Sequence, residues 1–450
     1  MPETTRPHSD DRIVRPENAA SADHNPMSCP CKQPDPRPFP LCSQVPDTIL
    51  NDPDLNAALT ALPSNYSFEV HKTVWRLRQA KTKSLALQFP EGLLLFATTL
   101  ADIFQTHCPT IENVVILGDV TYGACCVDDY TAASLGCDFL VHYGHSCLVP
   151  VDVTGVPCLY VFVDIAFDVG HLVDCVGTNF PKGSLLVLAG TIQFASAIQD
   201  VRSKLLQEYP EILIPQCKPL SPGEVLGCTA PTLGAATGSE KLPDAIVFVA
   251  DGRFHLEAIM IANPTIPAFR YDPYQRILTR EEYAHGEMRL VRKNMVERAR
   301  MAKRWGIVLG TLGRQGNPAI LEHLEKRLQE RGKEFVVFLI SEMNPQKMAL
   351  LKDADAFAQI ACPRLSIDWG EDFQKPVLTP YEAEVALGGV KPWWELPGAA
   401  AGEENTPYPM DYYSREGGPW TSAYIKAPPG GARRTRRPRR EIEVAVEAVS

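Results

Sequence analysis

The chain lacks any stretch of about 18 uninterrupted apolar residues, so it carries no sequence signal for a membrane-spanning helix. Its first residues, MPETTRPHSDDRIVRP, mix charge and proline without the apolar centre of a secretory signal, and a soluble, cytoplasmic protein is the expectation. Basic charge is scarce. The 450 residues carry a formal net charge of −10, which argues against a general nucleic-acid binder and predicts no direct nucleic-acid role. Cysteine is too sparse for a disulfide scaffold: there are 13, an odd number, expected as free thiols in a reducing compartment and mostly as packing residues. Hydrophobic residues, by contrast, make up 45% of the chain, enough for several domains with buried cores.

Periodicity is missing at both ends. Residues 1–62, with PCKQPDPRPFPLC, are rich in Pro, Asp and Ser and read as a disordered leader. Cys29, Cys31 and Cys42 lie there without a fourth spaced ligand, which leaves them no structural zinc pattern. Residues 391–450 run through PWWELPGAAAGEENTPYPMDYYSREGGPW to RRTRRPRR and read as an extended or disordered tail lying on the surface. The run Arg433 to Arg440 reads as a solvated charge tract.

Between these ends the chain is α/β. Short β-branched runs predict strands over Leu85–Phe89, Val114–Leu117, Phe139–Val141, Leu159–Val163, Leu185–Leu188, Ile212–Ile214, Ile246–Val249, Ile307–Leu309, Phe335–Leu339 and Ala356–Ile360. Runs that are apolar at every position suit strands covered on both faces, hence parallel sheets. PAILEHLEKRLQERG places Ile320, Leu321, Leu324 and Leu328 on one helical stripe that Gly332 ends. Asp138, Asp244 and Asp355 each open a similar strand, DFLVHYG, DAIVFVA and DAFAQIA, which predicts three copies of a unit of roughly 100 residues. The expected organisation is three related α/β domains with mainly parallel sheets, over 63–158, 159–272 and 273–390.

On that repeat, Cys125 and Cys228 fall in the loop after a unit's second strand, and Cys362 falls just past a third strand. Both kinds of loop lie at the carboxyl edge of a parallel sheet, where open α/β folds bind ligands. Three sulfurs aimed at one crevice without a fourth suit a 4Fe–4S cluster with one open iron; zinc with three sulfurs and water is the simpler alternative. Gly123, Gly227 and Pro363 favour a special role for these loops over mere packing. Cys137, Cys147, Cys158 and Cys175 read as packing residues. The loop GTLGRQGNP, Gly310 to Pro318, ends in Asn317 and Pro318, an N-cap and first-turn pair, so free backbone N–H groups would face a carboxylate or phosphate above the sheet edge. Arg314, Gln315, Arg364 and Asp368 lie nearby, a set able to grip a zwitterionic amino-acid group.

The motifs LQFPEGLL, GDVTYGACCVDDYTA, DFLVHYGHSCLVP, GTLGRQGNP, LISEMNPQKM and IACPRLSIDWGEDFQKPVLTPYEAEVAL resemble the 2-(3-amino-3-carboxypropyl)histidine synthases of diphthamide biosynthesis, of the eukaryotic subunit 1 type, over about residues 66 to 390. The resemblance implies three related α/β domains around a central Fe–S site, each giving one cysteine to a 4Fe–4S cluster. Carried over motif by motif, the ligands are Cys125, Cys228 and Cys362. Cys126 adjoins the first, which is chosen because the family's cysteine directly follows Gly-Ala; Cys217 lies near the second, whose surroundings match more loosely. The implied cofactors are the cluster and S-adenosylmethionine as co-substrate, with Gly310, Gly313, Gln315, Arg364 and Asp368 expected at the polar groups of the latter. The implied reaction transfers a 3-amino-3-carboxypropyl group to C2 of a histidine in translation elongation factor 2 by radical chemistry, although the C-x₃-C-x₂-C run of ordinary radical S-adenosylmethionine enzymes is absent. Implied partners are a homologous subunit 2 and a small metal-binding electron-donor protein. Two other readings stand beside it: a three-cysteine Fe–S lyase resembling quinolinate synthase, and a non-catalytic subunit of a heterodimer.

Overall fold

A computed structural model describes residues 45–119, 121, 123–234, 241–396 and 406–424. All lie in one unit of the chain that starts at Val45. Cys29, Cys31, Cys42 and the Arg433 to Arg440 tract lie outside the described residues.

The architecture is three four-stranded sheets with helices between. The first is parallel throughout, in the order Asn113–Leu117, Ser84–Gln88, Phe139–Tyr143, Cys158–Val161. The third, also parallel, has the order Glu334–Ile340, Arg304–Gly310, Ala356–Ile360, Val377–Leu378. The middle sheet runs Leu186–Gly190, Ala245–Val249, Ala268–Asp272 in parallel and adds Ile277–Glu281 antiparallel at its edge. The predicted strand at Ile212–Ile214 is a single parallel bridge, Val187 to Leu213, with Pro210 and Pro215 on either side denying it ladder donors. That bridge sits where the first and third sheets place their second strand, so one strand order underlies all three.

Burial explains the parallel pairing. Phe139–Tyr143, Leu186–Gly190, Ala245–Val249 and Ala356–Ile360 are buried at every position, as strands covered on both faces must be. The repeated aspartates have a physical role. Asp138 accepts from the backbone N–H groups of Lys83 and Ser84, Asp244 from that of Leu185, and Asp355 from those of Lys303 and Arg304, at 2.8 to 3.3 Å. Each carboxylate thus pins the start of its sheet's central first strand.

Four features depart from the sequence expectations. The hairpin Ala268–Asp272 and Ile277–Glu281 was unforeseen, and its second strand lies past the expected boundary at 272. Cys158–Val161 straddles the expected boundary at 158 and pairs with the first sheet. Helices Asp47–Leu50 and Pro53–Leu59 lie inside the supposed leader, the latter capped by the Asp52 side chain, and they bury Ile49 and Leu55 against Phe68 and Val74. The described parts of the tail, 391–396 and 406–424, are no surface extension: Trp393, Tyr408, Met410, Tyr412 and Tyr413 belong to the largest core, with Trp305 and Tyr381. Apolar area of that order is not left in water.

Among the described residues no helix is long and apolar enough to cross a membrane.

Candidate metal centre

Cys125 sits in a single 3₁₀ turn, Ala124–Cys126, beyond strand Asn113–Leu117. Cys228 occupies a tight loop closed by an antiparallel bridge between Leu226 and Thr229. Cys362 follows strand Ala356–Ile360, where Pro363 turns the chain into helix Arg364–Trp369. All three are partly buried free thiols. The fold brings them into one another's fields: Cys125 is raised far above the ordinary thiol range by a hydrogen bond to Cys126, by burial, and by the charges of Cys126, Cys228 and Cys362. Burial and then Cys362 raise Cys228, and burial pushes Cys362 up to about 11. Three such sulfurs stay protonated unless a positive centre stabilises them together. No compact single-ion set of three His, Cys, Asp or Glu side chains occurs among the described residues. Three thiols fit an Fe–S cluster by donor type, with one iron left without a protein ligand.

Cys126 is the less available member of the doublet. It is buried, its Sγ accepts from the Gln315 amide at 3.4 Å, and its carbonyl accepts from Gln88 at 2.8 Å. Cys125 Sγ lies 3.9 Å away and more exposed.

The Gly310 to Pro318 loop packs directly on this turn. Arg314 N–H donates to the Cys125 carbonyl at 2.8 Å. A Cβ on Gly313, whose φ is +53°, would stand 2.6 to 2.8 Å from Cys126 backbone atoms, and one on Gly310 would meet Ala361 Cβ at 2.7 Å. Gly313 is therefore required by backbone contact with the Cys125 turn, and Gly310 by its approach to Ala361 beside Cys362. Asn317 accepts from Ala319 N–H at 2.8 Å and caps helix Pro318–Glu330 as expected. The Arg314 guanidinium is bound to the buried Asp129 carboxylate at 2.5 and 2.8 Å and lies over the Tyr130 ring at 3.9 Å.

Arg364 is likewise committed within the protein. It is 3% exposed and donates to Asp368 at 2.8 Å, to Glu257 at 2.6 Å, to the Phe254 carbonyl at 2.7 Å and to the Gly227 carbonyl at 3.3 Å. It ties the residue after Pro363 to the residue before Cys228, so its work is to hold two cysteine loops together. Asp368 keeps a side-chain exposure of 25%. Gly227 permits the contact, since a Cβ there would lie 2.1 Å from the Phe254 ring. Gly123 makes no such demand, with an extended φ of −174° and open space beside it except for Cys125 Sγ at 3.7 Å.

The segment 406–424 went unrecognised as part of the site. Asp411 bridges Thr229, Tyr412 N–H donates to the Cys228 carbonyl at 3.4 Å, and Tyr413 N–H donates to the Thr229 hydroxyl at 3.0 Å. Its signal in the sequence is aromatic density: YPMDYY and PW are too apolar for a solvated tail.

Residues 89–397 match the family described as "Putative diphthamide synthesis protein". The chain is 55% identical over 387 residues to 2-(3-amino-3-carboxypropyl)histidine synthase subunit 1 of Gallus gallus, covering 86% of this chain and 90% of that one. The Homo sapiens protein of the same name is 53% identical over 384 residues, 85% and 83% of the two chains. Among solved structures, Dph2 from Pyrococcus horikoshii with a 4Fe–4S cluster superposes with a TM-score of 0.59 at 26% identity, covering 72% of this chain and 92% of that one. The chain belongs to the diphthamide synthesis protein family and stands with its 2-(3-amino-3-carboxypropyl)histidine synthase subunit 1 members.

Proposed function

We propose that this chain is the cluster-bearing subunit of a synthase that transfers the 3-amino-3-carboxypropyl group of S-adenosylmethionine to C2 of a histidine in translation elongation factor 2. The observation that carries the reading is the convergence of Cys125, Cys228 and Cys362 from three sheets into mutual electrostatic range. These three residues would hold a 4Fe–4S cluster whose fourth iron receives the co-substrate. Such a cluster, once reduced, supplies the electron that breaks the Cγ–S bond of S-adenosylmethionine and frees the group to be transferred.

The chain's own residues position and shield. Gly310 and Gly313 let the loop lie flat on the Cys125 and Cys362 ends of the site, and Gln315 holds the Cys126 sulfur by a hydrogen bond. The polar groups of the co-substrate would rest along this loop and against Asp368, with Arg364 acting through Asp368 rather than by direct contact. A homologous second subunit and a small metal-binding electron donor complete the cytoplasmic system.

Anaerobically purified chain with its partner subunit is expected to show Fe–S absorption and to form methylthioadenosine from S-adenosylmethionine in the presence of the elongation factor. Replacing Cys125, Cys228 or Cys362 by Ala removes iron and turnover together. Full activity in any of these three variants would sink the assignment of that ligand, and full activity in all three would leave only a non-catalytic subunit.

A further inference from the structure

The segment Thr406 to Tyr424 lies beyond the family match, which ends at 397. It crosses the site as a strap. On one side it pairs with the Cys228 loop through Met410, which accepts from Ala230 N–H at 2.8 Å, and through Tyr412 and Tyr413. On the other it reaches the loop before helix Pro318–Glu330, where Asn317 donates to the Ser422 carbonyl at 2.9 Å and to its hydroxyl at 3.0 Å. Ser422 N–H in turn donates to the Tyr412 carbonyl at 2.6 Å. The strap therefore links the Cys228 loop to the Gly310 to Pro318 loop that packs on the Cys125 turn, with Tyr412 at the crossing.

The polar side chains of the strap are satisfied within the fold. Tyr408 donates to Glu382 at 2.9 Å, and Trp420 donates to Asp411 at 3.0 and 3.1 Å. Two hydroxyls are exceptions among the described residues, those of Thr406 and Tyr412, on side chains 1% and 4% exposed; of the two, Tyr412 is the one whose own backbone pairs with the Cys228 loop. A buried hydroxyl without a partner costs stability, and native proteins rarely keep one without reason. The nearby groups whose charges act on this phenol are Cys228, Cys125 and Cys362.

Resting on the cluster reading above, we propose that the Tyr412 hydroxyl is the hydrogen-bond donor to a sulfur of the group held by Cys125, Cys228 and Cys362, delivered there by the 406–424 strap. A donor to sulfur stabilises the extra negative charge of the reduced state and so raises the reduction potential. The strap thereby makes the centre easier to reduce, in addition to excluding water from its Cys228 side.

The test uses the full chain with its cluster reconstituted anaerobically. Tyr412→Phe keeps the ring and its packing; iron and sulfide per chain should stay at the wild-type level while the midpoint potential moves negative and the electron paramagnetic resonance signal of the reduced cluster changes. Incorporating 3-fluorotyrosine at 412, a stronger donor, should move the potential the opposite way, which guards against a folding defect in the Phe variant. Tyr408→Phe is the control: its hydroxyl serves Glu382, so the unfolding midpoint should fall and the potential stay in place. Unmoved potential and spectrum in both position-412 proteins, as for a hydroxyl that merely meets a trapped water, would overturn this inference alone. A wild-type chain that takes up no cluster would overturn the functional reading and this inference with it.

Discussion

Two seams meet at the cysteines, and they are held by opposite means. On the Cys228 and Cys362 side, one buried guanidinium, Arg364, joins Asp368, Glu257 and two backbone carbonyls. On the Cys125 side, the fit is between backbones: Gly313 lies against Cys126, and the charged group of that loop, Arg314, sits 20% exposed at the rim. The contrast teaches that an arginine in a ligand-edge loop is to be judged by its partners. Arg364 has all its donors satisfied at hand and acts as a staple, whereas a substrate clamp would keep donors aimed into the crevice.

The largest effect should follow from breaking the staple. Arg364→Ala leaves Glu257 with only Arg253, at 3.4 Å, and Asp368 without its cation, and losing one side of a buried ion pair costs about 3–5 kcal/mol. The exposures of these two carboxylates, 21% and 25%, put the expected loss at the lower end, about 3 kcal/mol in urea unfolding. Iron content should fall with it, because both cysteine loops lose their tie. Arg364→Lys should recover little, since one ammonium cannot fork toward four acceptors. A variant that unfolds like wild type would show that the seam is held elsewhere.

Next comes Gly313→Ala on the opposite seam. The new Cβ meets Cys126 backbone atoms at 2.6 to 2.8 Å with φ at +53°, and neither the strain nor the clash can be relieved by a rotamer change. A loss of about 2 kcal/mol is expected, with the Cys125 turn displaced and iron lost selectively at that ligand. Retention of full iron would mean that the Cys125 turn moves as a body with the loop.

How much of this was legible beforehand depended on whether one residue type carried one role. The three strand-opening aspartates were readable because each makes the same backbone contacts. Strand order places Cys125, Cys228 and Cys362 each at the carboxyl edge of a sheet; a common crevice for them is only suggested by it, and the ligand set is implied by the family resemblance. The hairpin over 268–281 was hidden because Asp272, Arg270 and Glu281 break the apolar alternation; Asp272 accepts from Tyr274 and Gln275 N–H to make the turn, and Arg270 pairs with Glu281 at 3.1 Å. The staple that Arg364 forms is not legible because its partner Glu257 is distant in sequence and no local pattern announces it. The strap is hard to read in the sequence because prolines and glycines break any periodicity of the aromatic side chains between them.

Arg314 should matter less than either of the first two. Burial raises Asp129, but the Arg314 hydrogen bonds and charge, with the Gly155 N–H, outweigh it and hold the carboxyl below its ordinary range. Because the folded value lies below the unfolded one, this contribution is fully present above about pH 4 and is lost as pH falls through the depressed value. Arg314→Ala should cost between about 1 and 2 kcal/mol at neutral pH, because Asp129 is fully buried but keeps the Gly155 N–H when the part-exposed guanidinium is removed, and the gap to wild type should narrow in unfolding curves taken at progressively lower pH in that range. A gap that widens on acidification would mean that Asp129 is protonated in the native state.

The smallest effect separates a glycine that the site needs from one that only sits near it. Gly123 directly precedes the Cys125 turn and looks as indispensable in sequence as Gly313 does. Its backbone is extended, φ −174°, and a Cβ there would touch only Cys125 Sγ at 3.7 Å, an ordinary contact. Gly123→Ala should therefore change unfolding free energy by no more than about 0.5 kcal/mol, leave iron content at the wild-type level, and leave the cluster spectrum unaltered. Alanine at 123 lowering iron as far as alanine at 313 does would show that the Cys125 turn must open during cluster insertion, because nothing in its closed form resists the methyl group.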